Sequence, residues 1–107
     1  MDSDYAVVLS TCGSKDEAET IAGRLVRDRA AACVNIVENV TSIYQWQGKI
    51  EKTAEVLLVI KTRTAQADRV ATMIKELSSY DCPEVIVLPV TGGSAEYLQW
   101  VGGSTSE

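Results

Sequence analysis

Few side chains in this 107-residue sequence can do chemistry, and their types narrow what is open to them. There are three cysteines, Cys12, Cys33 and Cys82, and no histidine. Histidine is the usual acid–base group near neutral pH and the commonest ligand for zinc and copper. Carboxylates and lysines remain, but they form no paired constellation, so the sequence reads as non-enzymatic. Cys33 sits in the apolar run 30–37, AAACVNIV. As a thiolate it is a candidate ligand for a soft ion such as Cu(I) or zinc. As a thiol in an apolar strand it is a small core residue. There is no Cys-x-x-Cys to strengthen the metal reading. Cys82, in a loop before Pro83, is the thiol expected to be exposed. An odd number of widely spaced cysteines fits reduced thiols better than a disulfide framework. Thr91-Gly92-Gly93-Ser94 could offer amides to an anion. It lacks the lysine and spacing of a phosphate loop, and a turn with a helix cap accounts for it.

The elements that must position these groups come from a chain of ordinary globular make-up, 46% hydrophobic and 23% charged. One domain over residues 1–107 is expected. Net charge is −5 and the pI is near 4.7, which counts against a nucleic-acid partner. No apolar run reaches the ~20 residues of a membrane helix. The acidic start, Met1-Asp2-Ser3-Asp4, lacks the basic and apolar parts of a secretory signal. A cytoplasmic location with no membrane partner is expected.

Residues 5–11 (YAVVLST) read as a buried strand. Ser14 and Glu17 have the spacing of a capping box. Ala18, Ile21, Ala22, Leu25 and Val26 form one helical stripe. A second strand begins at Ala30, with a bulge or kink expected at Glu38-Asn39. Thr64 is placed to cap a second helix with its stripe at Ala67, Val70, Ala71, Ile74 and Leu77. Residues 84–90 (EVIVLPV) read as a fourth strand that meets an edge at Pro89. Ser94 caps a short last helix on which Tyr97, Trp100 and Val101 share a face. The order β-α-β-β-α-β plus a short C-terminal helix predicts an α+β, ferredoxin-like split βαβ fold, an antiparallel sheet with helices on one face.

The most unusual stretch is residues 40–62, VTSIYQWQGKIEKTAEVLLVIKT. Gln47-Gly48 supplies a tight turn. Its long arm, residues 49–62, has about 13 residues of strand at ~3.3 Å each and reaches roughly 43 Å, beyond the ~35 Å width of a domain this size. With a two-residue turn, Trp46 opposes Lys49 and Tyr44 opposes Glu51. The hairpin is expected to outreach its own domain and carry Ile43, Tyr44, Trp46 and Ile50 into the open. That predicts assembly with copies of itself.

Residues 31–36 (AACVNI), 42–51 (SIYQWQGKIE), 55–62, 80–84 (YDCPE) and 97–100 (YLQW) resemble the CutA divalent-cation-tolerance family. The resemblance covers nearly the whole chain. It implies a ferredoxin-like protomer in a tightly packed, often heat-stable homotrimer built through long hairpin strands. It also implies a link to tolerance of copper and other divalent ions, so copper or another divalent cation is the implied ligand. Metal contacts proposed in the family use cysteines and a histidine just before the Tyr-x-x-Pro-Glu segment. Here Leu77-Ser78-Ser79 precede Tyr80. A first-strand cysteine of some relatives falls at Ser10, while Cys12 lies two residues on. Cys33 is the one matching thiol.

Tyr44, Trp46, Lys61, Glu84, Tyr97 and Trp100 are then expected to share an inter-subunit pocket, or to anchor the trimer seam. The leading reading is a trimeric, non-enzymatic protein of metal-ion tolerance. The alternative is a PII-like trimeric signalling protein holding a small-molecule effector in clefts between subunits. RNA binding, suggested by shared topology, lacks aromatics at the centre of the third strand and a basic surface.

Overall fold

Strand β1 (Tyr5–Cys12) alternates half-buried and buried residues along its whole length. That period of two is a strand with one face under helices. Cys12 belongs to the strand and closes its buried row, one residue past the expected end. Ser14 then caps helix α1 (Lys15–Arg27), its Oγ accepting from the Glu17 amide at 3.1 Å. Ala18, Ile21, Ala22 and Leu25 are buried as expected. Val26 is exposed instead, because the stripe drifts around the helix.

The computed structural model describes residues 3–106. Met1, Asp2 and Glu107, parts of the acidic start and polar tail noted above, lie outside it. Strand β2 (Cys33–Trp46) begins later than expected. Ala30, Ala31 and Ala32 form a buried bend ahead of it, because Arg29 takes a positive φ of 60° and turns the chain. Strand β3 (Lys49–Arg63) follows, and its buried residues Val56, Leu58, Ile60 and Thr62 alternate with half-buried ones. The β2–β3 register slips between Val37 and Val40, where Asn39 has φ of 63°. This is the bulge predicted at Glu38-Asn39.

Thr64 does not cap helix α2 (Ala67–Leu77). A short 3₁₀ turn, Thr64–Gln66, intervenes, and the Thr64 hydroxyl donates to the Ser3 carbonyl at 2.6 Å. Strand β4 is only Ile86–Pro89, so Glu84 and Val85 are not strand as expected. Pro89 ends it. Helix α3 (Ala95–Gly103) is capped by Ser94, whose Oγ accepts from the Tyr97 amide at 3.3 Å.

The class is α+β: a four-stranded antiparallel sheet in the order β2-β3-β1-β4, with three helices. β3 separates β1 from β2, which α1 connects. Val8, Leu58 and Ile60 of the sheet pack against Ile21 and Leu25 of α1 and Val70 and Ile74 of α2. The polar tail after α3 is more fixed than its composition suggests. Thr105 is buried. Arg29 donates to Ser106 Oγ and the Gly103 carbonyl, and Arg69 to the Ser106 and Asp28 carbonyls.

Candidate functional site

The face of the sheet away from α1 and α2 carries the groups of interest. Because Val56, Leu58 and Ile60 point to the helices, Leu57, Val59 and Lys61 point the other way. So do Glu55, Thr53, Glu51 and Lys49 farther along the same strand. The register sets Tyr44 opposite Glu51 and Trp46 opposite Lys49, as predicted, so both rings stand on this face. Gln47 and Gly48 make the turn with φ of 51° and 80°, the left-handed pair of a two-residue hairpin loop.

Tyr44 and Trp46 form one wall of a hollow of about 840 Å³. Its floor is Glu51, Thr53 and Glu55 with Thr11, and the segment 79–84 closes the far side. Two sets of bonds hold that segment. Ser79 donates from its amide and hydroxyl to the Glu17 carboxylate at 3.1 and 2.8 Å. Glu17 therefore caps a distant turn rather than completing the local capping box. The Tyr80 hydroxyl donates to Glu55 Oε2 at 2.8 Å. Burial first, then the hydrogen bond and charge of Glu55, push the Tyr80 phenol well above its ordinary range. Burial, followed by the charge of Glu17, raises the Cys12 thiol. Tyr44 and Thr53 hydroxyls share a 3.0 Å hydrogen bond, which fixes the ring against the floor.

The residues expected to share one pocket divide within a single chain. Tyr44, Trp46 and Glu84 line the large hollow. Lys61 and Tyr97 line a smaller one of about 290 Å³, between the start of β1 and the start of α3. Trp100 stacks on Tyr97 with ring centres 5.6 Å apart and planes at 37°. The two hollows lie at opposite ends of β1, Thr11 at one and Tyr5 at the other. Val7, the nearer lining residue of the small hollow, stands four residues from Thr11, roughly 13 Å along the strand.

Cys33 is half-buried, Cys12 buried and Cys82 exposed, the last as expected. Cys33 pairs across the ladder with Lys61, on the face away from Cys12. The two thiols cannot meet at one ion. The Lys61 ammonium, which donates to Asn35 Oδ1, stands beside Cys33 as a like charge to any metal. Among the described residues, no three Cys, Asp or Glu side chains converge to hold a metal ion. The described residues of one chain therefore supply no resident metal centre around Cys33.

Sequence reasoning missed Glu55, Tyr80 and Asp81 as wall residues. Glu55 was open to discovery, since it alternates with Thr53 and Glu51 on the strand face that Tyr44 shares. Tyr80 had no such signal, because its position depends on a contact to a strand 25 residues away.

Fold and site together define a class: a small α+β protein whose antiparallel sheet extends into an overlong hairpin with an aromatic, acidic hollow along one face. The CutA1 divalent ion tolerance protein family matches residues 6–104. The chain belongs to that family. It is 46% identical over 99 residues to a protein of Thermus thermophilus named divalent-cation tolerance protein CutA, covering 92% of this chain and 96% of that one. It is 44% identical over 101 residues to the chloroplastic protein CutA 1 of Oryza sativa, covering 94% of this chain and 57% of the relative. The chain thus spans a little over half the length of that plant relative. The crystal structure of CutA1 from Oryza sativa superposes with a TM-score of 0.95 at 42% identity, over 99% of this chain and 97% of that one. The structure of the divalent cation tolerance protein from Thermus thermophilus gives 0.93 at 44% identity, over 95% and 99%.

Proposed function

We propose that this chain acts in tolerance of divalent metal ions, as a non-enzymatic homotrimer of single-domain, ferredoxin-like protomers. The observation that carries the reading is the family match across residues 6–104, with a bacterial relative named for that role aligned along nearly its whole length. The trimeric part is supported by the hairpin. Its end exposes Ile43, Trp46 and Ile50 at 68, 62 and 72% in the single chain. Surface of that kind asks for a cover. In a trimer, the half-site of Tyr44, Trp46 and Glu84 on one protomer can face the half-site of Lys61, Tyr97 and Trp100 on the next.

Tolerance here is a role in the response to the ion rather than storage of it. Cys33 is the thiol through which a direct contact to copper or another soft cation would run. The test is growth in graded copper and cadmium of cells lacking the protein, with and without the chain restored. Restoration should raise the tolerated concentration, and Cys33→Ser should preserve that rescue if the role is indirect. Identical growth with and without the chain contradicts the reading.

A further inference from the structure

Helix α3 is nine residues long and buries one side chain, Val101. So short a helix is marginal in water on its own, and one buried residue gives it little hold on the core. Its last turn is held by other means. Gly102 lies so close to the Tyr5 ring that a Cβ there would stand 3.1 Å from the hydroxyl. The Arg29 guanidinium donates to the Gly103 carbonyl at 2.8 Å and to Ser106 Oγ at 2.9 Å. The Ser106 amide donates back to the Arg29 carbonyl at 2.9 Å. Arg69 donates to the Ser106 carbonyl at 2.7 Å and to the Asp28 carbonyl at 2.8 Å, so it joins the end of α1 to the same segment. Between these anchors Thr105 is buried, its hydroxyl donating to the Val101 carbonyl at 3.1 Å.

Arg29 also breaks a local rule. Helix α1 ends with the Ala30 amide on the Leu25 carbonyl and the Arg29 amide on the Val26 carbonyl. That is the Schellman pattern, whose left-handed position usually falls to glycine. Arg29 occupies it with φ of 60°. A strained backbone position that carries a long side chain points to a task for that side chain. Its task here is the reach to residues 103 and 106.

We propose that residues 103–106 are a strap by which Arg29 and Arg69 fix the attitude of α3, and with it the Tyr97–Trp100 pair. Both arginines are positioning residues for that pair, and neither is in contact with it through an ion pair or ring stack. The strap is built within one chain. Its consequence for assembly rests on the trimeric reading above, in which Tyr97 and Trp100 face the next protomer.

The test is native-state amide hydrogen exchange of the full chain, compared with Arg29→Gly and Arg69→Lys. Arg29→Gly suits the left-handed turn and removes the clamp. Exchange over residues 95–106 should rise about tenfold, because hydrogen bonds from charged donors are the stronger ones. Amides at the centres of β1 and β3 should keep their protection. If Arg29 served only the end of α1, glycine would leave α3 as protected as before or better. Arg69→Lys keeps the charge and loses the planar fork, so it should loosen the same segment. Protection over 95–106 that is unchanged in either variant overturns the proposal. So does a loss spread evenly over the sheet, which would mean general destabilisation. Sedimentation of the same three proteins reads the link to assembly, and both variants should dissociate at higher concentration than the parent. Equal assembly in all three contradicts that link. A parent that sediments as a single chain sinks the trimeric reading, while the exchange data still decide the strap.

Discussion

Two buried residues of β1 show how single side chains set the stability of this protein. Ser10 is 1% exposed, and its Oγ is the one buried side-chain polar atom without a hydrogen-bond partner among the described residues. A buried hydroxyl with no partner costs about 1–3 kcal/mol. Ser10→Ala should therefore raise stability by about 1 kcal/mol in urea denaturation, after the small loss of packing. Cys12, two residues on, lies close enough to Tyr80 for its charge to add to the upward push on the phenol. Both groups have folded pKa values raised above their ordinary ones of 9.0 and 10.0. In each case the unfolded chain loses its proton first as pH rises. Stability from these groups is full below pH 9 and declines as the solution becomes more alkaline. Tyr80→Phe should make the loss of stability above about pH 10 shallower, while costing about 1 kcal/mol at pH 7 for the Glu55 hydrogen bond. An unchanged alkaline slope in that variant would mean that Tyr80 does not carry the effect.

At the scale of elements, the hairpin turn is adequate rather than ideal. Gln47 holds φ of 51° although it bears a side chain, and Gly48 holds 80°. A two-residue loop of this kind favours Asn-Gly. Gln47→Asn should stabilise the protein by a few tenths of a kcal/mol, and Gly48→Ala should destabilise it by about 1 kcal/mol, both read from the thermal midpoint. The legibility of the elements follows the same logic. The turn, the bulge at Glu38-Asn39 and the Ser14 cap were readable because each depends on a few adjacent residues. The pairing of Tyr44 with Glu51 followed from the turn length alone. The Thr64 cap, the extent of β4 and the tail were not readable, because distant partners decide them. Ser3 captures Thr64, and Arg29 and Arg69 clamp Ser106. The candidate hollow was half legible for this reason. Its strand wall alternates in the sequence, whereas Tyr80 and Asp81 arrive there by tertiary contact.

At the scale of the molecule, the long axis is 44 Å against 28 and 22 Å for the others, as the strand length foretold. The excess is the hairpin, and its end is apolar on both faces. Ile43 and Ile50 leave on one side, Tyr44 and Trp46 on the other. Each such side chain contributes about 1.5–3 kcal/mol when covered. β2 and β4 are the edges of the sheet, with no further strand beside them among the described residues. These features call for self-association. Ile43→Asp with Ile50→Asp should weaken the assembly and lower the thermal midpoint, whereas the same changes would leave an independent monomer nearly unaffected. The most direct measurement is sedimentation equilibrium at submicromolar concentration. Trimeric assembly predicts a folded species of three times 11.6 kDa that persists on dilution. A cooperatively folded species of 11.6 kDa over the same range would contradict it.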